Sequence, residues 1–195
     1  MSEPADSMGA AATAALSLLI DTVEQIPADG WEQPSNLDGW NVRDLVGHAT
    51  GSAAKIVALV EDKEIWTGPS KPSDWACDEP AARLRELATR LCQALPDVDF
   101  AAPRVSPAGE VPLYRAMAFP VADLAIHSWD VHRSFQRLIE LPDALLGLCS
   151  RLVESVPEDR LRGPGAFGPA QPAPQNSTPT ARLMAYLGRS VGVAT

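Results

Sequence analysis

The amino-acid sequence predicts an all-α protein, a four-helix up-and-down bundle with short extra helices towards the C-terminal end. Three observations carry this. Apolar residues recur at spacings of three and four in four substantial segments, alternation of the strand type is almost absent, and Pro- and Gly-rich stretches punctuate the helical text. At 195 residues the chain is long enough for one well-filled core and short for two ordinary domains, so residues 1–195 are expected to form one unit.

The first helix is predicted over Gly9–Ile26, where Leu16, Leu19, Ile20 and Val23 mark one stripe, and Pro27 and Gly30 end it. Trp31 to Trp40 is a turn-rich connection. Asn41 then caps a second helix, with Asp44 three residues on in a pattern resembling a capping box, and this helix is expected to reach about Asp62. Residues 63–80 hold Gly68, Pro69, Pro72 and Pro80 and show no sustained period. They predict a long loop, with Trp66 and Trp75 available to fold back on the body or to cover a pocket.

Pro80 or Ala81 opens a third helix, with Leu84, Leu87, Leu91 and Leu95 along its stripe and Pro96 at its close. Cys92, on this apolar stretch, is expected to be buried packing. After a linker at 97–111, helical text runs from Leu113 to Ile139, and Pro120, lacking a backbone donor, is expected to kink or restart it. A shorter helix follows over Asp143–Val156. The stretch 157–178 is rich in Pro and Gly, and a last short helix at Thr180–Leu187 stops at Gly188.

Composition excludes several classes of function. The net charge of −9, with no local Lys/Arg cluster to offset it, opposes nucleic-acid binding. No apolar run approaches the roughly 20 residues that cross a bilayer, and Glu3 and Asp6 stand where an export signal would carry positive charge, so the expected address is the cytoplasm. Cys77, Cys92 and Cys149 are widely spaced and odd in number, which argues against a disulfide framework or a thiolate zinc knuckle. There is no Gly-rich phosphate loop, no GxSxG and no convincing Ser/His/Asp set.

The histidines are the informative residues. The chain has three, and two of them lie in apolar helical text: His48, which shares a face with Leu45, Ser52 and Ile56, and His127, four residues after Asp123. Residues four apart on a helix lie about 40° apart around the axis and about 6 Å along it, so Asp123 and His127 point the same way and a partner helix can bring His48 to them. A lone histidine on an apolar face is more often a hydrogen-bonded core residue than a ligand, and an acid four residues before it has an ordinary reading as a surface pair. Asp123, however, lies near the stripe of Leu124 and Val131, where an uncompensated carboxylate is costly. Two imidazoles and a carboxylate suit zinc, nickel, iron(II) or manganese and leave coordination positions open. Asp130 is a candidate to orient a ligating ring, whereas His132, about 140° round the helix from His127, is expected to be structural.

These residues sit in wording that resembles the DinB-like metal-binding bundles, specifically the mycothiol-dependent maleylpyruvate isomerase N-terminal domain group of actinobacterial proteins. The resemblance is carried by Gly39-Trp40-Asn41-Val42-Arg43-Asp44-Leu45-Val46-Gly47-His48, by Asp123-Leu124-Ala125-Ile126-His127-Ser128-Trp129-Asp130, and by the tail from Phe167-Gly168-Pro169 to Arg182-Leu183-Met184-Ala185-Tyr186-Leu187-Gly188-Arg189. It implies a bundle whose divalent metal, commonly zinc, is held by His48, Asp123 and His127. It also implies a low-molecular-weight thiol such as mycothiol as cosubstrate, activated as thiolate by the metal. An isomerase would add that thiolate to a conjugated double bond, allow rotation and expel it; a transferase would release the adduct.

Two departures qualify the expectation. The family's acidic ligand is a glutamate, and Asp123 is one methylene shorter, so coordination geometry or affinity is expected to differ. The additional C-terminal domain of the maleylpyruvate isomerase is absent from the chain, so that particular activity is not expected. The reading is thus a thiol-dependent isomerase or S-transferase acting on a small molecule, with a homodimer possible. Its alternatives are a non-catalytic metal- or ligand-binding bundle, a metal-dependent hydrolase, and a structural role for both histidines without metal.

Overall fold

The structure, a computed structural model, describes residues 3–66, 68–106, 109–162 and 167–192, with 3–6 as backbone alone. It is mostly helical: α1 (Glu3–Glu24), α2 (Val42–Val60), α3 (Pro72–Trp75), α4 (Pro80–Ala94), α5 (Leu113–Ser134), α6 (Asp143–Ser155), α7 (Glu158–Leu161) and α8 (Pro179–Tyr186). A hairpin of β1 (Pro103–Ser106) and β2 (Gly109–Pro112) pairs antiparallel between α4 and α5. Residues 163–166, inside the Pro/Gly-rich segment predicted at 157–178, lie outside the described residues, as do 67 and 107–108 within the predicted loops.

The bundle consists of α1, α2, α4 and α5, in which α1 and α2 each pack on both α4 and α5 but scarcely on one another. Two helices run each way. Thr22 near the end of α1 meets His132 near the end of α5, whereas Glu24 of α1 pairs with Arg85 near the start of α4. Asn36, ahead of α2, bonds Ser134 at the end of α5, and Glu61, after α2, bonds Arg90 late in α4. Hence α2 and α4 are parallel. The segment between them must travel back along the bundle, which is why it is long.

Local signals explain the boundaries. The Asn41 side chain accepts from Asp44 N at 2.8 Å and the Asp44 carboxylate accepts from Asn41 N at 3.2 Å, so the capping box is complete. α1 begins at Glu3 rather than Gly9, because Pro4 sits in the first turn, where it is tolerated, and Ala-rich text follows. α5 does not restart at Pro120. The proline, itself buried, forgoes only the bond to the Ala116 carbonyl while the helix continues. α5 ends at Ser134, short of Ile139, because Gln136 turns left-handed (φ 59°) and a Schellman pair closes the helix, Gln136 N to Arg133 O and Arg137 N to His132 O.

Leu84, Leu87 and Leu91 of α4 are at most 1% exposed, and each such burial is worth about 2 kcal/mol. Cys92 is exposed, contrary to expectation, since it lies one residue, about 100°, off that stripe. α2 presents small residues to the 61–79 crossover. A Cβ on Gly47 would come within 2.7 Å of the Pro72 carbonyl, and one on Gly51 within 2.4 Å of Ser70 Cβ.

Candidate metal centre

His48 on α2 and Asp123 and His127 on α5 meet where these helices pack. Nε2 of His48 lies 3.3 Å from Asp123 Oδ2, and Nε2 of His127 lies 3.2 Å from Asp123 Oδ1. One ligand-type atom from each of the three falls within 4.8 Å of the others. The two imidazoles stand edge to face, centroids 4.9 Å apart, and Trp40 packs 4.9 Å from His48. The Asp123 side chain is 28% exposed, so the cluster opens to solvent on one side.

Each ring is fixed through its other nitrogen. His48 Nδ1 lies 2.7 Å from the Ser70 carbonyl, which can only accept, so Nδ1 carries the proton there. His127 Nδ1 lies 3.0 Å from Asp130 Oδ2. That carboxylate is fully buried and also accepts from Arg189 Nη2 at 2.9 Å on Oδ2, from Arg189 Nε at 3.2 Å on Oδ1 and from Asn36 Nδ2 at 2.9 Å on Oδ1, so it too is an acceptor and the ring Nδ1–H donates to it. The Ser52 hydroxyl donates to Asp123 Oδ2 at 2.6 Å.

Electrostatics follow from these contacts. Burial opposes ionisation of Asp123, but the facing His127 and His48 outweigh it and hold the carboxyl well below its ordinary range. Burial likewise opposes charge on His127, yet Asp123 and then Asp130 raise it to about 9. For Asp130, burial is overcome by Arg189 and His127, and its carboxyl falls to about 2.

The donor set passes a simple test of fit. Both Nδ1 atoms are engaged by acceptors, both Nε2 atoms converge on one carboxylate, and a cation there would take neutral nitrogen and anionic oxygen together. His132 stands apart, its Nε2 3.3 Å from the Thr22 hydroxyl. Sequence reasoning did not reach Ser70, Asn36 or Arg189 as partners of the site. Only Arg189 had a signal, as the last residue of the tail quoted above. Trp66 and Trp75 do fold back, 5.1 Å apart, and the Trp66 indole donates to the Ser70 hydroxyl at 3.1 Å.

Architecture and cluster together define a DinB-like helical bundle with a two-histidine, one-carboxylate centre. Residues 12–132 match the family of the mycothiol maleylpyruvate isomerase N-terminal domain, and the chain belongs to that family. Uncharacterised proteins of Mycobacterium tuberculosis strains CDC 1551 / Oshkosh and ATCC 25618 / H37Rv are each 27% identical over 177 residues, covering 85% of this chain and 88% of the relative. The crystal structure of the mycothiol-dependent maleylpyruvate isomerase superposes with a TM-score of 0.62 over 78% of this chain and 72% of that one. A histidine-to-alanine mutant of that enzyme gives 0.61 with the same coverage. At 13% identity these two likenesses are ones of fold. Among the described residues, no helix is long and apolar enough to cross a membrane.

Proposed function

We propose that His48, Asp123 and His127 hold a divalent cation, zinc before nickel, iron or manganese, and that the protein is a thiol-dependent isomerase or S-transferase using a low-molecular-weight thiol of the mycothiol type. One observation carries the reading: both imidazoles have their Nδ1 tied to a fixed acceptor, with both Nε2 atoms left to converge beside the Asp123 carboxylate. When bound, such a cation supplies thiolate at neutral pH by stabilising the anionic sulfur of a thiol.

The chain's own groups do the positioning. Ser52 orients the Asp123 carboxylate, Ser70 sets the His48 tautomer and Asp130 sets that of His127. Trp40 covers one side of the His48 ring. No cysteine belongs to the cluster, so the reacting sulfur must come from the cosubstrate.

The test is metal content per chain, by plasma mass spectrometry, for wild type and a His48→Ala/His127→Ala variant purified alike, followed by assays with and without added mycothiol. Close to one ion in wild type, little in the variant and turnover only with thiol support the reading. A wild-type protein that neither carries nor takes up zinc, nickel or manganese sinks it.

A further inference from the structure

Ser70 meets the centre through its carbonyl, and the same residue is held from elsewhere. It is 3% exposed, and its hydroxyl accepts from the Trp66 indole at 3.1 Å. Trp66 packs 5.1 Å from Trp75 and carries the Lys55 ammonium 5.1 Å over its ring. Lys55 also donates to the Gly68 carbonyl at 2.9 Å, so a second tie joins α2 to the crossover two residues before Ser70.

The surface of α2 beneath Ser70 is cut to fit. Gly47, Gly51 and Lys55 stand four apart and share one face, and His48, three residues before Gly51, is its neighbour on the helix surface. A Cβ on Gly51 would lie 2.4 Å from Ser70 Cβ, 2.6 Å from Ser70 Oγ and 2.7 Å from Trp75 Cδ1. Ordinary contact begins at 3.4 Å, so Ser70 would have to withdraw by about 1 Å. A withdrawal of about 1 Å takes the 2.7 Å contact between the Ser70 carbonyl and His48 Nδ1 beyond hydrogen-bond range. The absence of a side chain at 51 and the orientation of the His48 ring are thus linked through one carbonyl.

We infer that Gly51 and Trp66 are positioning residues of the centre: the bare surface at Gly51 lets Ser70 seat against α2, and the Trp66 indole pins it there, so that its carbonyl holds the His48 ring with Nε2 towards Asp123. The consequence for metal binding rests on His48 being a ligand. The hold on the ring does not.

Two measurements on the full chain test this: protection of the His48 Nδ1 proton from solvent exchange, by NMR of metal-free protein labelled at histidine, and zinc affinity. Gly51→Ala is expected to lose the protected proton and about tenfold in zinc affinity. Trp66→Phe keeps an aromatic ring but removes the donor, and Ser70→Ala removes the acceptor but keeps the carbonyl. Each is expected to speed exchange of that proton and to cost about threefold in zinc affinity, and the double variant no more than either, because both break one bond. Val57→Ala, a buried site about 160° round α2 from Lys55, lowers stability by opening a cavity and is expected to leave both measurements unchanged. If Gly51→Ala does not fold, the Trp66 and Ser70 variants decide alone.

Wild-type protection in the folded variants, additive losses from Trp66→Phe and Ser70→Ala, or an equal response to Val57→Ala overturns the inference. Exchange that responds as expected in a protein that takes up no metal would defeat the proposed function while upholding the positioning. Zinc uptake with thiol-dependent turnover, indifferent to all these variants, would do the reverse.

Discussion

Arg189 grips Asp130 with two hydrogen bonds across 59 residues of sequence, Nη2 to Oδ2 at 2.9 Å and Nε to Oδ1 at 3.2 Å, and both side chains are buried. The same Asp130 oxygen meets Nδ1 of His127, so the segment after α8 reaches the candidate centre through a single carboxylate. Arg189 is itself seated, its guanidinium 5.0 Å over the Phe167 ring and Nη1 bonded to the Leu187 carbonyl.

Arg189→Ala leaves Asp130 charged and buried beside His127. The expected loss of stability is about 3–5 kcal/mol, the usual consequence of removing one partner of a buried pair. Zinc affinity of the folded protein is expected to fall about 10- to 100-fold, because the ring-orienting carboxylate is released. Urea unfolding and zinc titration read the two effects; a variant with wild-type affinity would separate Arg189 from the centre.

Gly188 has φ +85° at the close of α8, where Gly188 N bonds Ala185 O and Arg189 N bonds Met184 O. A Cβ there would meet Gly168 backbone atoms at 2.9 Å, whereas Gly39, at φ +80°, has nothing within 4 Å. Gly39→Ala is expected to cost about 1 kcal/mol from backbone strain alone, and Gly188→Ala more, about 2–3 kcal/mol, with reduced zinc affinity through the displaced Arg189. Thermal unfolding compares them, and equal losses would refute the steric account.

Thiol reactivity separates the cysteines. Burial, with Asp123 adding to it, pushes the Cys149 thiol up to about 12, while Cys92 is exposed. At pH 8 a thiol reagent is expected to label Cys92 quickly and Cys149 only after unfolding. Mass spectrometry locates the label, and rapid native labelling of Cys149 contradicts the packing described here.

Acid weakens the link between α2 and α4. Arg90 bonds Glu61 at 3.0 and 2.6 Å, and with Lys63 it lowers the Glu61 carboxyl to about 2 from an ordinary 4.5. The folded state thus binds this proton more weakly than the unfolded one. The contribution is complete above about pH 4.5 and disappears as pH falls towards 2. Given the exposure of Arg90 and Lys63, it is of order 1 kcal/mol. Comparing wild type with Glu61→Gln by urea unfolding at pH 7 and pH 3 should show a difference at pH 7 that narrows at pH 3.

Much of the bundle is legible in the sequence because its signals are local. The Asn41/Asp44 box, the Leu84/Leu87/Leu91 stripe and the i, i+4 pairing of Asp123 with His127 all fall within one or two helical turns. The hairpin at 103–112 is not legible, since each strand has four residues, a proline stands at either end, and exposure alternates in β1 but not in β2. The restart offered as one outcome at Pro120 does not occur, because the loss of one backbone bond is outweighed by packing on either side of the helix. Ser70 and Asn36 could not be foreseen as partners of the centre. Ser70 acts through its backbone carbonyl, which any residue type possesses, and both are placed only by the tertiary fold.

The crossover from α2 to α4 and the anchor at Arg189 also set an order of assembly. The candidate centre and its supports draw on positions 36, 48, 52, 70, 123, 127, 130 and 189, nearly the length of the chain. Contacts so distant in sequence close late, after the local helices exist. In small zinc-nucleated domains the ion organises the chain. Here the segment carrying Arg189 must dock before the proposed ion would find all its supports in place, so its capture would belong to the end of folding.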